Sequence, residues 1–140
     1  MFYKDLQAMN KFSSLWQRRL SITSLYYYAK QCKNPIDVKL ALPLVEHLLL
    51  DDEYYVQKGV GWTLREMSQI DYKKTLEFMK IHVKHIAPAG FSASIEKLNE
   101  EDKQYIKDLR KKEKSNPYEF EAHEENTIKS HYLKHHEREY

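Results

Sequence analysis

One segment of the chain, residues 54–66, concentrates the side chains best suited to binding a flat, anionic ligand. Projected as an α-helix at about 100° per residue, it has two opposed faces. One face is a narrow aliphatic stripe that predicts contact with a core: Val56, Val60, Leu64 and, just beyond, Met67. Lys58, Trp62 and Arg65 fall together on the opposite side. The segment therefore combines a core-facing stripe with an aromatic ring between two cations.

This arrangement of Trp62 has two interpretations. An exposed indole between a lysine and an arginine suits a partner that carries phosphates and flat or sugar-like surfaces, as nucleic acid does. Alternatively, Trp62 packs on a neighbouring helix while the cations stay solvated, because side-by-side helical repeats can bury two helix faces. Periodicity alone leaves both interpretations open.

The composition limits the classes of protein to consider. At 140 residues the chain is long enough for one domain with a core, and 31% charged residues with only 3 Gly and 4 Pro favour helix. The single cysteine, Cys32, excludes an internal disulfide framework. Nothing resembles a signal peptide, and no apolar run approaches the roughly 20 residues that span a membrane. We therefore expect a cytoplasmic protein with no membrane partner, and we expect no cofactor.

Charge is unevenly placed along the chain. Residues 1–114 hold 20 Lys/Arg against 15 Asp/Glu, whereas residues 115–140 hold 3 against 6. The net charge of +2 therefore divides into a basic body and an acidic tail. A basic body is compatible with a phosphate-bearing partner.

The pattern along the body is helix after helix, with no alternating strand pattern. Asp51 and its acidic neighbours are expected to complement the dipole of the helix that follows, and Asp71 and Asn99 are expected to cap helices. Short turns between helices of about 10–17 residues favour an all-α alpha-solenoid of antiparallel helical pairs, with a plain helical bundle as the alternative. The predicted helices cover residues 3–11, 15–31, 36–50 with a kink at Pro43, 54–69, 72–86, 91–98 and 99–114.

We assign residues 1–114 to the helical repeat domain and residues 115–140 to an acidic, His-rich mobile tail. Few aliphatic residues occur after Ser115, so this part has little to pack into a core. His131 and His135 have the i, i+4 spacing of a metal-binding pair, but no cysteine lies near them. We expect a solvated tail and no metal site.

The body resembles the DNA alkylation repair family, the AlkD-like HEAT-repeat alkylpurine DNA glycosylases. The match extends over about residues 12–114. Three passages carry it, in the family's order and approximate spacing: Trp16-Gln17-Arg18-Arg19 at the start of residues 16–22, residues 52–66 around Gly61-Trp62, and residues 91–98.

This resemblance implies an alpha-solenoid of HEAT-like repeats with a concave, basic surface that holds duplex DNA containing alkylated purines. It also implies hydrolysis of the N-glycosidic bond of such purines. By resemblance, Arg19 grips the DNA backbone near the lesion, Trp62 packs against the deoxyribose and Arg65 holds a neighbouring phosphate. With Lys58 from the helix face, the predicted DNA-binding set is Arg19, Lys58, Trp62 and Arg65.

The resemblance also implies a missing part. The family's catalytic carboxylate lies well N-terminal to the passage that begins at Trp16, and this chain begins only a short way before it. We therefore expect the C-terminal portion of the family fold, N-terminally truncated, with no catalytic residue identified, DNA binding retained and enzyme activity uncertain. The exposed end of such a solenoid would favour self-association. The alternative function is a non-catalytic scaffold that binds a protein partner.

Overall fold

The computed structural model describes residues 2–32 and 37–115, and every structural statement below concerns that part of the chain. Its regular structure is helical throughout, with no strand in these ranges. The predicted all-α class is therefore confirmed. A short 3₁₀ turn, Val83–His85, follows the fifth helix. The α-helices are α1 (Phe2–Met9), α2 (Leu15–Cys32), α3 (Val38–His47), α4 (Tyr54–Ile70), α5 (Tyr72–His82), α6 (Pro88–Ile95) and α7 (Glu100–Ser115).

Several helix boundaries follow from the capping chemistry that the sequence predicts. The Asp71 carboxylate accepts a hydrogen bond from the backbone N–H of Lys74 at 3.1 Å, and the Asn99 side-chain oxygen accepts one from Asp102 at 2.8 Å. Both predicted caps are confirmed. The helix expected over residues 36–50 is shorter than predicted, because Asp37 caps α3 and the chain leaves the helix after residue 47.

The helices form two layers. α2, α4 and α6 lie side by side in one layer, and α1, α3, α5 and α7 form the other. α2 and α4 run in the same direction, because Trp16 contacts Tyr55 near both helix starts and Thr23 lies against Gly59 further along. Parallel helices within each layer, joined through antiparallel neighbours, are the arrangement of an alpha-solenoid rather than a plain bundle.

The core lies between these layers. The aliphatic stripe predicted on α4 is buried there, with 1% or less of each side chain exposed, so this prediction is confirmed. The stripe consists of Val56, Val60, Leu64 and Met67. Burial of this face fixes the rotation of α4 and therefore turns Trp62 away from the core.

Glycines allow α4 and α6 to approach closely. A Cβ atom added to Gly61 would lie 2.7 Å from the Cα atom of Gly90, and a Cβ atom added to Gly90 would collide with the backbone carbonyl oxygen of Gln57. Neither position has room for a real Cβ atom, so the helix spacing depends on both glycines. Further along the same interface, Arg65 of α4 reaches Glu96 just after α6.

A buried ion pair joins the start of α2 to the turn before α4. The Nε atom of Arg18 donates to the Asp51 carboxylate at 2.7 Å, and 3% and 0% of the two side chains are exposed. Arg18 also donates to the carbonyls of Phe12 and Ser13. Asp51, expected only to complement a helix dipole, is the buried countercharge of Arg18. Of the two adjacent arginines in the sequence, Arg18 therefore holds the fold together.

Candidate nucleic-acid interface

Arg19 crosses from α2 to α4 over the solvent-facing side of the first layer. Its Nη1 atom donates to the backbone carbonyl of Tyr55 at 2.9 Å, and its guanidinium carbon lies 5.5 Å from the centre of the Trp62 ring. The path is open because Gly59 has no side chain, since a Cβ atom there would lie 3.1 Å from Cγ of Arg19. Backbone, ring and glycine together hold the cation in one place.

Trp62 is 48% exposed. Packing against neighbouring helices therefore leaves about half of the indole accessible. The Arg19 guanidinium lies beside the indole ring. A cation beside an exposed aromatic ring offers both charge attraction and a flat contact surface. This geometry agrees with the exposed interpretation of Trp62 rather than with a purely packing role.

A cavity of about 170 Å³ opens between α2 and α4 beside this pair. Tyr27, which is outside the predicted DNA-binding set, is exposed at the cavity and in ring contact with Tyr26 at 5.3 Å between centroids. It belongs to the run of three tyrosines at residues 26–28 of the sequence. The lining residues are Arg19, Thr23, Tyr26, Tyr27, Trp62, Thr63, Arg65 and Glu66.

Arg65 lines this cavity but is already paired with two carboxylates. Its Nη1 atom lies 3.0 Å from Oε2 of Glu96, and its Nη2 atom lies 3.1 Å from Oε1 of Glu66. The hydrogen bond that Arg65 donates to Glu96 raises the pKa of Arg65, outweighing the opposite effect of burial, and the same bond lowers the pKa of Glu96. The positive charge of Arg65 is therefore already paired with two carboxylates, and a phosphate would have to compete with both of them.

Lys58 lies next to the cavity rather than in it. Its ammonium group is 5.6 Å from the centre of the Tyr54 ring, and it is absent from the residues that line the cavity between α2 and α4. The structure thus brings three predicted site residues together and places the fourth at their margin. The three are Arg19, Trp62 and Arg65.

Two surfaces of the described chain were missed by sequence reasoning. The first is a row of exposed rings in which Tyr55 lies 5.1 Å from Trp16 and 5.2 Å from Tyr54. Both helices present these aromatics in their first turns, which is a recognisable sequence signal. The second is a cationic groove at the other end of the fold, whose signal is the i, i+3, i+4, i+7 spacing of basic residues in α7: Lys107, Arg110, Lys111 and Lys114.

Metal ligands do not cluster in the part of the chain that the structure covers. No group of three or more His, Cys, Asp or Glu side chains is arranged there to hold an ion. His131 and His135, and with them the predicted tail, lie outside the described residues. No helix among the described residues has both the length and the apolar character needed to cross a membrane.

Comparison with known protein families identifies the family of this chain. The family model for DNA alkylation repair enzymes matches residues 3–98, well over half of the chain. The chain belongs to the DNA alkylation repair enzyme family. No curated protein and no solved structure matches it. The matched range runs from the second residue of α1 to beyond the end of α6, and therefore contains the whole cavity between α2 and α4, but it ends before α7.

Family membership supports a role in DNA repair with DNA as the partner. The finer expectations stay predictions: an AlkD-like subfamily, HEAT-type repeats, missing N-terminal repeats, self-association and a cytoplasmic location.

Proposed function

We propose that this chain binds duplex DNA containing alkylated purines at the cavity between α2 and α4. The observation that carries the proposal is the Arg19–Trp62 pair, a fixed cation beside a half-exposed indole in a DNA alkylation repair enzyme. In this role Arg19 contacts a backbone phosphate, and Trp62 packs its open face against the deoxyribose of the damaged nucleotide. Lys58 and Arg65 contribute further positive charge at either side.

Hydrolysis of the N-glycosidic bond would take place with the damaged nucleotide held against Trp62 in this way. When an alkylated purine leaves, the electron pair of the N-glycosidic bond neutralises its positive charge, and water adds to the cationic sugar and releases one proton to solvent. The Trp62 ring face stabilises a nearby cation by about 0.5–2 kcal/mol. Among the described residues, the carboxylate that lines the cavity is Glu66, and its oxygens accept from Arg65 and Gln69. We therefore expect DNA binding to be strong and hydrolysis by this chain to be slow.

The first test separates a phosphate contact from a ring contact. Arg19→Ala is expected to reduce the magnitude of the slope of log K against log salt concentration by about 0.9, the value of one phosphate contact. Trp62→Ala is expected to weaken binding about tenfold without changing this slope, because stacking and sugar packing release no counterions. Fluorescence anisotropy with a labelled duplex containing an alkylated purine measures both quantities.

Lys73→Ala is the matched control for Arg19→Ala, because it removes an exposed cation from α5 in the other layer. Equal slopes for the Arg19 and Lys73 variants would exclude the phosphate contact. Unfolding of the Trp62 variant, seen as loss of its thermal transition, would instead assign the indole a packing role. Absence of duplex binding even at low salt would overturn the proposal and favour a protein-binding scaffold.

A second prediction concerns the carboxylate that restrains Arg65. Glu96→Gln is expected to tighten duplex binding about two- to fivefold, because the carboxylate of this exposed ion pair no longer competes with phosphate for Arg65. The salt slope should become steeper at the same time. Glu77→Gln, which removes an exposed charge from α5, controls for the change in net charge. Weaker binding by the Glu96 variant would mean that the pair positions Arg65 instead of competing for it.

A further inference from the structure

A cationic groove lies between α6 and α7. It encloses about 490 Å³, and its floor includes the ring of Phe91. Lys107, Lys111 and Lys114 are exposed along it, and Arg110 is partly buried. Among the described residues, no carboxylate lines it, and its lining there consists of Phe91, Gln104 and the basic side chains.

Arg110 is held in place within this groove. Its Nη1 atom donates to the backbone carbonyl of Ile86 at 2.6 Å, and its guanidinium carbon lies 4.1 Å from the centre of the Phe91 ring. A guanidinium that is already fixed loses little conformational freedom when it binds an anion. The Ile86 carbonyl accepts from only one nitrogen of the Arg110 guanidinium, so the other N–H groups remain available to a ligand.

Within residues 2–32 and 37–115, no acidic side chain forms an ion pair with the four basic residues of the groove. These four are Lys107, Arg110, Lys111 and Lys114. Asp108, on the same helix, accepts a hydrogen bond from Gln104. Burial lowers the pKa of Arg110, and burial together with the Arg110 charge lowers the pKa of Lys114. An anion in the groove would relieve this repulsion.

The spacing of the cations favours an extended anion with repeated charges. Lys107 and Lys114 are seven residues apart, about 10.5 Å along the helix. Phosphates on one DNA strand follow each other at about 3.4 Å along the duplex axis, so the row spans about three such spacings. A single small anion would need converging donors, whereas these lie in a line.

We propose that the groove between α6 and α7 is a second binding surface for the sugar–phosphate backbone of the DNA that the chain holds. The proposal takes its partner from the proposed function but uses residues beyond the range matched by the family, 3–98. α6 connects the two surfaces: Phe91 lines the groove and Glu96, about 7.5 Å further along the chain direction, contacts Arg65 of the first site. A duplex of one helical turn, about 34 Å, is long compared with this stretch of α6.

Lysine footprinting of the unmodified full chain tests this directly. The chain is acetylated with and without a duplex of about 20 bp, two helical turns, and each lysine is followed by mass spectrometry. Lys107, Lys111 and Lys114 are expected to be protected severalfold by DNA. The control is a set of exposed lysines on α1, α3 and α5, which should react equally in both samples: Lys4, Lys39 and Lys73.

The outcomes separate this proposal from the first site. Protection of Lys58 without protection of the α7 lysines would overturn the groove and leave the site between α2 and α4 intact. Protection of the α7 lysines without Lys58 would uphold the groove and count against the first site. If the α7 lysines were protected from acetylation even without DNA, the chain itself would cover the groove. That result would overturn the proposal that the groove binds DNA.

A charge-removal variant gives the second measurement. Lys107→Gln, Lys111→Gln and Lys114→Gln combined are expected to make the salt slope of duplex binding shallower by about 2–3, against less than 1 for the combined Lys4→Gln, Lys39→Gln and Lys73→Gln control. Matching thermal transitions verify that both variants fold. An unchanged slope, or loss of binding to phosphatidylserine vesicles with duplex binding unaffected, would overturn the proposal.

Discussion

Arg18→Met is expected to destabilise the fold by about 3–5 kcal/mol. The substitution leaves the Asp51 carboxylate inside the protein without its countercharge, and an uncompensated buried charge is among the most costly single changes. Asp51 has no exposed side-chain surface and Arg18 has 3%. The carbonyls of Phe12 and Ser13 would lose their donor as well. Equilibrium unfolding in urea, followed by circular dichroism, measures the free energy of unfolding.

The adjacent arginine provides the control. Arg19→Met removes a cation of the same type that is partly exposed, so its cost should stay below about 1 kcal/mol. The double variant Arg18→Met with Asp51→Leu should recover part of the loss, because neither charge remains buried. If Arg18→Met and Arg19→Met proved equally stable, the buried pair would not be holding α2 to the turn before α4.

Arg18 and Arg19 show which features of the fold cannot be predicted from local sequence. Neighbouring helix positions differ by about 100°, so Arg18 and Arg19 must face different surroundings. Which of them faces inward depends on Asp51, which is 33 positions away in the chain. No local pattern connects the two. The helices and the caps at Asp71 and Asn99 are local features, and the sequence predicts them well.

In the candidate site too, the sequence predicts the features within one helix but not the contacts between helices. Trp62 and Arg65 share one helix face, so periodicity alone places them together. The position of Arg19 beside Trp62 joins two helices, and only the family resemblance suggests it. The restraint on Arg65 by Glu96, 31 positions away, could not be foreseen, because it depends on the separation of α4 and α6. Cross-helix geometry therefore determines how much of the predicted charge is available to a ligand.

Gly61→Ala is expected to destabilise the protein by about 3 kcal/mol, at the upper end of the cost of overpacking. Alanine favours an isolated helix over glycine by about 1 kcal/mol, so the clash must outweigh that gain. The added methyl group would meet backbone atoms of Gly90, which cannot rotate away as a side chain could. α4 and α6 must then separate, and Arg65 would lose its contact with Glu96. The free energy of unfolding and the duplex affinity are both measured.

Gly59→Ala separates the effect on the site from the effect on the fold. Its methyl group would meet the Arg19 and Thr23 side chains at 3.1 and 3.4 Å, and these can shift. Stability should therefore change by less than about 1 kcal/mol, while displacement of Arg19 from Trp62 weakens duplex binding. If Gly61→Ala were as stable as Gly59→Ala, α4 and α6 would not depend on backbone contact. If Gly59→Ala bound DNA normally, the placement of Arg19 across α4 would have no part in binding, because this glycine affects the site through that side chain.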